Sequence, residues 1–143
     1  MLNQEAIKKI IPHRDPFLFV DEVKIIEPLK HGLGYKKVRE DELFFKGHFP
    51  GQPVMPGVLI VEAMSQVGAT VLLSDDNYKG KLVLFVGADN IKFRRQVVPG
   101  DTLKMEIEII KLRGNFGSAQ GRAYVDDELA CEGVVKFAVV EKE

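Results

Sequence analysis

His48 and Glu62 are the two side chains in this sequence best placed for acid and base chemistry. His48 lies in residues 47–56, GHFPGQPVMP, where two glycines and three prolines rule out regular structure and fix a loop path. Glu62 lies in the run that follows, residues 57–73, where nearly every residue is apolar. Glu62, Ser65 and Gln66 stand at i, i+3 and i+4, on one side of a helix about a turn below its N-terminus. A carboxylate in so apolar a setting is costly unless it has a task or a partner. A histidine on a rigid loop leading into that helix makes a common acid/base pairing with it. Each residue also has a plainer reading. His48 could cap backbone carbonyls, and Glu62 could serve the helix dipole and a polar network with Gln66, a role compatible with catalysis. Gly57 adds a third feature: at the helix start its N–H is unpaired, the dipole favours negative charge, and the missing side chain permits close approach.

The elements that must position these groups follow from periodicity. Pro56 suits a first helical turn, and residues 57–73 are apolar on all faces, which predicts a buried helix. Upstream, Ala6, Ile7, Ile10 and Ile11 give a short helical pattern ended by Pro12, a lid on one end of the domain. Residues 17–26 and 31–38 read as strands, the first lying between Pro16 and Pro28. After a break at Lys79-Gly80, residues 82–86 read as an apolar strand and 88–97 as extended. Leu103, Met105, Ile107 and Ile109 alternate with Lys104, Glu106 and Glu108, a half-buried strand. Turns at Gly114-Asn115 and Asp126-Asp127 fold residues 118–125 and 128–140 back into a meander. One long apolar helix and several antiparallel strands predict an α+β fold in which a curved sheet wraps the helix. The tail, residues 141–143, reads as solvated.

With 143 residues, 45% of them hydrophobic, the chain suits a single domain over residues 1–143. Twenty basic and 21 acidic side chains leave a net charge of -1, so no global field points to nucleic acid or an anionic membrane. One cysteine, Cys131, has no partner for an internal disulfide, and no His or Cys cluster has metal-ligand spacing. The N-terminal residues lack an apolar core of signal-peptide length, and Glu62 and Gln66 interrupt the one long apolar run. These features predict a soluble cytoplasmic protein without metal or cofactor. His13 and His31 read as surface or structural histidines. Ser65 has no nucleophile-elbow context. Lys92, Arg94 and Arg95 form the densest basic cluster, either a solvated strand face or a site for an acidic partner.

The run GHFPGQPVMPGVLIVEAM resembles the signature of the FabZ family of (3R)-hydroxyacyl-acyl-carrier-protein dehydratases, which adopt the hot-dog fold. PHRDPFLFVD at 12–21 and KFRRQVVPGD at 92–101 are similar to that family's other conserved segments. Asp15 stands where an aromatic is common and Ser65 where Ala is usual. The resemblance implies dehydration of a β-hydroxyacyl thioester to the trans-2-enoyl thioester in fatty-acid synthesis, with acyl carrier protein as partner. It assigns the catalytic pair to His48 and Glu62 and the carbonyl-binding amide to Gly57. It also gives orienting roles to the Val54 carbonyl and to Gln66. A homodimer is implied, commonly assembled as a trimer of dimers, with each site drawing His48 from one chain and Glu62 from the other. The reaction needs a base for the proton beside the carbonyl, an acid for the departing hydroxyl, and stabilisation of the carbonyl oxygen. His48 fits the first. Glu62 fits the second, since apolar surroundings favour its proton-bearing form. Rival readings are a bifunctional dehydratase/isomerase, a non-catalytic acyl-thioester-binding protein on the same fold, and a thioesterase. Isomerising relatives typically carry Asp where this chain has Glu62.

Overall fold

The protein is described by a computed structural model covering residues 1–142. In chain order the elements are α1 (Gln4–Lys8), β1 (Glu22–Glu27), β2 (His31–Lys37), a 3₁₀ turn (Leu43–Lys46), α2 (Gly57–Leu73), β3 (Leu82–Phe93), β4 (Thr102–Arg113), β5 (Phe116–Val125) and β6 (Glu128–Val140). Among the described residues, six strands form one antiparallel sheet in the order β1-β2-β4-β5-β6-β3. The sheet wraps α2, which is the hot-dog arrangement expected of one long apolar helix beside a meander.

Helix α2 lays Ile60, Ala63, Met64, Val67, Val71 and Leu72 into the core, each at most 2% exposed. The sheet meets it with alternating residues. Leu103, Met105, Ile107 and Ile109 of β4 are buried, as their spacing predicts. On β2 the corresponding inward positions are glycines. A Cβ built on Gly32 would collide with Val71, and one on Gly34 with Val67. The two valines, one helical turn apart, therefore rest against bare backbone, and the helix sits closer to β2 than any side chain would permit. Asp126 and Asp127 both have positive φ, 49° and 66°, the twist that a two-residue hairpin between β5 and β6 demands. At the N-terminus, the Asn3 side chain accepts a hydrogen bond from the Ala6 N–H at 2.9 Å and caps α1. Ile7 and Ile11 are buried, as a lid requires.

Two expectations are corrected. The first strand begins at Glu22, not at residue 17, because the backbone of Phe17 and Phe19 is bonded to the Gln66 side chain and not to a neighbouring strand. The separate stretches 82–86 and 88–97 are one strand, β3, that ends at Phe93; beyond it the Arg94 and Arg95 N–H groups both turn to the Ala130 carbonyl. β3 is also an edge strand, paired only with β6, so Leu84, Phe85 and Val86 remain 46–58% exposed. At the other end of the chain, Glu141 and Lys142 are exposed and Glu141 lies 3.2 Å from Lys81; Glu143 lies outside the described residues. No helix is long and apolar enough to cross a membrane, among the described residues.

Gly34→Ala should lower the unfolding free energy by about 1–3 kcal/mol, the usual cost of overpacking, with an unchanged denaturant slope. A loss below about 0.5 kcal/mol would mean that Val67 is not held against β2.

Candidate active site

The loop carrying His48 is fixed by its own backbone. Val54 donates its N–H to the His48 carbonyl at 3.0 Å, Phe49 and Gln52 exchange N–H···O bonds at 3.2 and 2.9 Å, and Met55 donates to the Val97 carbonyl at 2.8 Å. The imidazole Nδ1 lies 2.8 Å from the Val54 carbonyl oxygen, and the Phe49 ring stacks on it at 3.9 Å. A carbonyl only accepts, so Nδ1 must carry the hydrogen. In the neutral ring this leaves the lone pair on Nε2. Just upstream, Lys36 and Glu42 form an ion pair at 2.7 Å with side chains only 4% and 17% exposed, and Glu42 also accepts the Arg39 N–H at 3.2 Å. That pair ties the segment entering the loop to β2.

Glu62 is built from α2 and from the segment between α1 and β1. Gln66, 1% exposed, accepts the Phe19 N–H at 2.8 Å through its oxygen. Its amide nitrogen donates to the Phe17 carbonyl at 2.9 Å and to Glu62 Oε2 at 3.0 Å. The backbone groups decide which way the amide points, since an N–H must meet the oxygen and a C=O the nitrogen. Oε2 of Glu62 is therefore an acceptor. When the carboxyl is neutral, its proton belongs on Oε1. The Glu62 side chain keeps 22% exposure, so the acid is half-buried and not enclosed as its apolar helix suggests.

Glu62 lines a cavity of about 130 Å³ between α2 and the sheet, with Ser65, Met64, Leu72 and Phe137 among its walls. His13 lines it too, with Nε2 3.6 Å from Glu62 Oε2. Burial pushes the His13 pKa below the ordinary histidine range; the Glu62 charge opposes this and Arg14 adds to it. Sequence reasoning took His13 for a surface or structural residue. The signal that could find it is a histidine on a proline-restricted loop, here between Pro12 and Pro16.

The structure thus brings Val54 to His48 and Gln66 to Glu62. It does not bring the two groups together: His48 is not among the residues lining the Glu62 cavity. The Gly57 N–H makes no backbone hydrogen bond among the described residues. The space left by its missing side chain is covered by the half-exposed Phe93 ring, on which a Cβ would impinge at 2.6 Å. Arg94 is paired with Glu132 through Nη2 and Nε at 2.6 and 2.7 Å, and Arg95 with Glu128 and Asp101 at 3.2 and 3.6 Å. Lys92 has no carboxylate within ion-pair distance among the described residues, so the basic cluster is largely neutralised by its own chain. His31, read as a surface or structural histidine, opens β2 and meets Glu106 at 2.9 Å.

Residues 11–134 match the model of the FabA-like domain family. The chain is 54% identical to the 3-hydroxyacyl-[acyl-carrier-protein] dehydratase FabZ of Desulforamulus reducens, over 99% of this chain and all of that one. It is 56% identical to the FabZ of Moorella thermoacetica over 99% of both. This chain belongs to the FabZ family. Its fold is shared with the dehydratase heterocomplex ApeI:P from Xenorhabdus doucetiae, at a TM-score of 0.77 and 17% identity over 95% of this chain and 91% of that one. In this FabZ-family chain the polar site is joined to the N-terminal segment through Gln66.

Gln66→Met should therefore have two effects. Leaving the Phe19 N–H and Phe17 carbonyl unpaired should cost about 2 kcal/mol or more in chemical unfolding. Turnover per folded molecule should fall as well, because Glu62 loses its donor. Wild-type turnover by the folded fraction would contradict the positioning of Glu62 by this amide.

Proposed function

We propose that this FabZ-family chain dehydrates (3R)-hydroxyacyl-[acyl-carrier-protein] to the trans-2-enoyl thioester in fatty-acid synthesis, using His48 as base and Glu62 as acid. The observation that carries the residue assignment is the division of proton roles set by hydrogen bonds. Val54 holds His48 with its Nε2 lone pair open, and Gln66 holds Glu62 with Oε1 as the proton-bearing oxygen. His48 Nε2 takes the proton from the carbon beside the carbonyl, and that electron pair forms the new double bond. The bond from the β-carbon to oxygen breaks, and the departing hydroxyl takes the Glu62 proton and leaves as water. Return of the proton from the imidazolium to the carboxylate through water restores both groups. Charge developing on the carbonyl oxygen is met by the open Gly57 N–H at the start of α2. The acyl chain runs into the apolar cavity beside Glu62.

The site is shared between two copies of the chain. Two observations support this: His48 does not line the Glu62 cavity within one chain, and the long β3 edge exposes unpaired backbone together with Leu84, Phe85 and Val86. The acidic carrier protein is met at Lys92, Arg94 and Arg95, where Lys92 supplies the uncompensated charge. The chain acts as one domain in the cytoplasm, a setting compatible with its single cysteine: Cys131 is fully buried, and burial pushes its thiol up to about 11.

Purified protein given a (3R)-hydroxyacyl carrier substrate should release water and yield the trans-2-enoyl thioester. Free thiol would indicate hydrolysis, a shifted alkene isomerisation, and no change a binding protein. His48→Ala and Glu62→Gln should each lower the rate on the order of 10²-fold or more with the thermal midpoint preserved. Wild-type rates from either purified variant would overturn the assignment.

A further inference from the structure

The Pro12-to-Pro16 segment reaches the site by a route of its own. Arg14 donates through Nη1 to the Ile11 and His13 carbonyls at 3.0 and 2.7 Å, and through Nη2 to the Lys8 carbonyl at 3.0 Å. Its guanidinium thereby pins the backbone just after α1 and fixes where His13 stands. The imidazole lines the cavity with Nε2 toward Glu62 Oε2, and its Nδ1 is buried with no hydrogen-bond partner among the described residues.

That orphan nitrogen decides the tautomer. A buried N–H without an acceptor is rarer and costlier than a lone pair without a donor. Nδ1 is therefore the bare nitrogen and Nε2 carries the hydrogen, which points it at Glu62. We infer that His13 is a positioning residue for the reaction: its Nε2–H faces Glu62 Oε2 from 3.6 Å, beyond hydrogen-bond length, and adds its dipole to the Gln66 hydrogen bond on the same oxygen, so that the transferable proton is confined to Oε1. This rests on the reading of Glu62 as the acid. The Gln66 hydrogen bond alone leaves the carboxyl freer to rotate and to exchange its two oxygens; a second N–H facing the same oxygen from the N-terminal segment disfavours both motions. The depressed His13 pKa fits a ring that stays neutral while it performs this role.

The first test uses the unmodified protein. Two-bond ¹H–¹⁵N spectra near neutral pH should show His13 as the neutral Nε2–H tautomer, and its ring signals should move in Glu62→Gln. An Nδ1–H tautomer, an imidazolium, or signals indifferent to Glu62→Gln would overturn the inference. The second test is kinetic. His13→Leu should lower kcat on the order of 10-fold with little change in KM, the effect of losing one polar contact with the acid. His13→Gln, whose amide nitrogen reaches as far as Nε2, should restore most of it, and His13→Asn should not. Unchanged kcat in His13→Leu, or equal loss in the Gln and Asn variants, would overturn the inference while an inactive Glu62→Gln kept the acid assignment intact. Full activity in Glu62→Gln would remove both.

Discussion

One buried amide holds the architecture of the site together. Gln66 accepts a backbone N–H, donates to a backbone carbonyl and donates to a carboxylate, all from a side chain 1% exposed. Each bond constrains the others. The backbone pair at Phe17 and Phe19 fixes which end of the amide is nitrogen, the nitrogen fixes which Glu62 oxygen accepts, and that acceptor fixes where the acid's proton can reside. A hydrophobic residue at this position would suit the apolar helix better by hydropathy. Its polar alternative is tolerated in the core because nearly all its hydrogen-bonding capacity is used.

Around that contact the fold solves a geometric problem. Helix α2 is apolar on most of its surface and needs cover on every side. The glycines of β2 let Val67 and Val71 seat against bare backbone, β4 supplies a buried row of large side chains, and the segment before β1 closes the flank that carries Glu62. Cover is incomplete where β3 leaves the sheet edge open and in the first turn of the helix, where Val58 is 72% exposed. The covering segment also brings His13 to the cavity.

Much of this could be read from sequence. The alternation of β4, the two-aspartate turn before β6 and the extent of α2 all follow from local patterns, because each element's burial is decided by its own residues. The true start of β1 could not be read this way. Residues 17–20 look like a strand by composition, but the Phe19 N–H and the Phe17 carbonyl bond to a side chain 47 and 49 residues away, a tertiary choice invisible to local propensity. The same holds for the basic cluster. Three cations in four positions suggest a charged patch, yet Glu132 and Glu128, distant in sequence, together with the nearer Asp101, compensate two of them. His48, Gly57 and Glu62 stand out because prolines, glycine and an isolated acid are unusual where they occur. His13 is marked only by its flanking prolines, and nothing local connects it to an acid on α2.

The central claim is that a complete site takes its base from one chain and its acid from another. Complementation between inactive chains tests it most directly. In a mixed dimer of His48→Ala and Glu62→Gln chains, shared sites would leave one site with both lesions and one with neither. Equal amounts refolded together with random pairing should then recover roughly a quarter of wild-type activity. If every chain builds its own site, each site carries one lesion in any combination, and continued inactivity in verified mixed dimers would contradict the shared site.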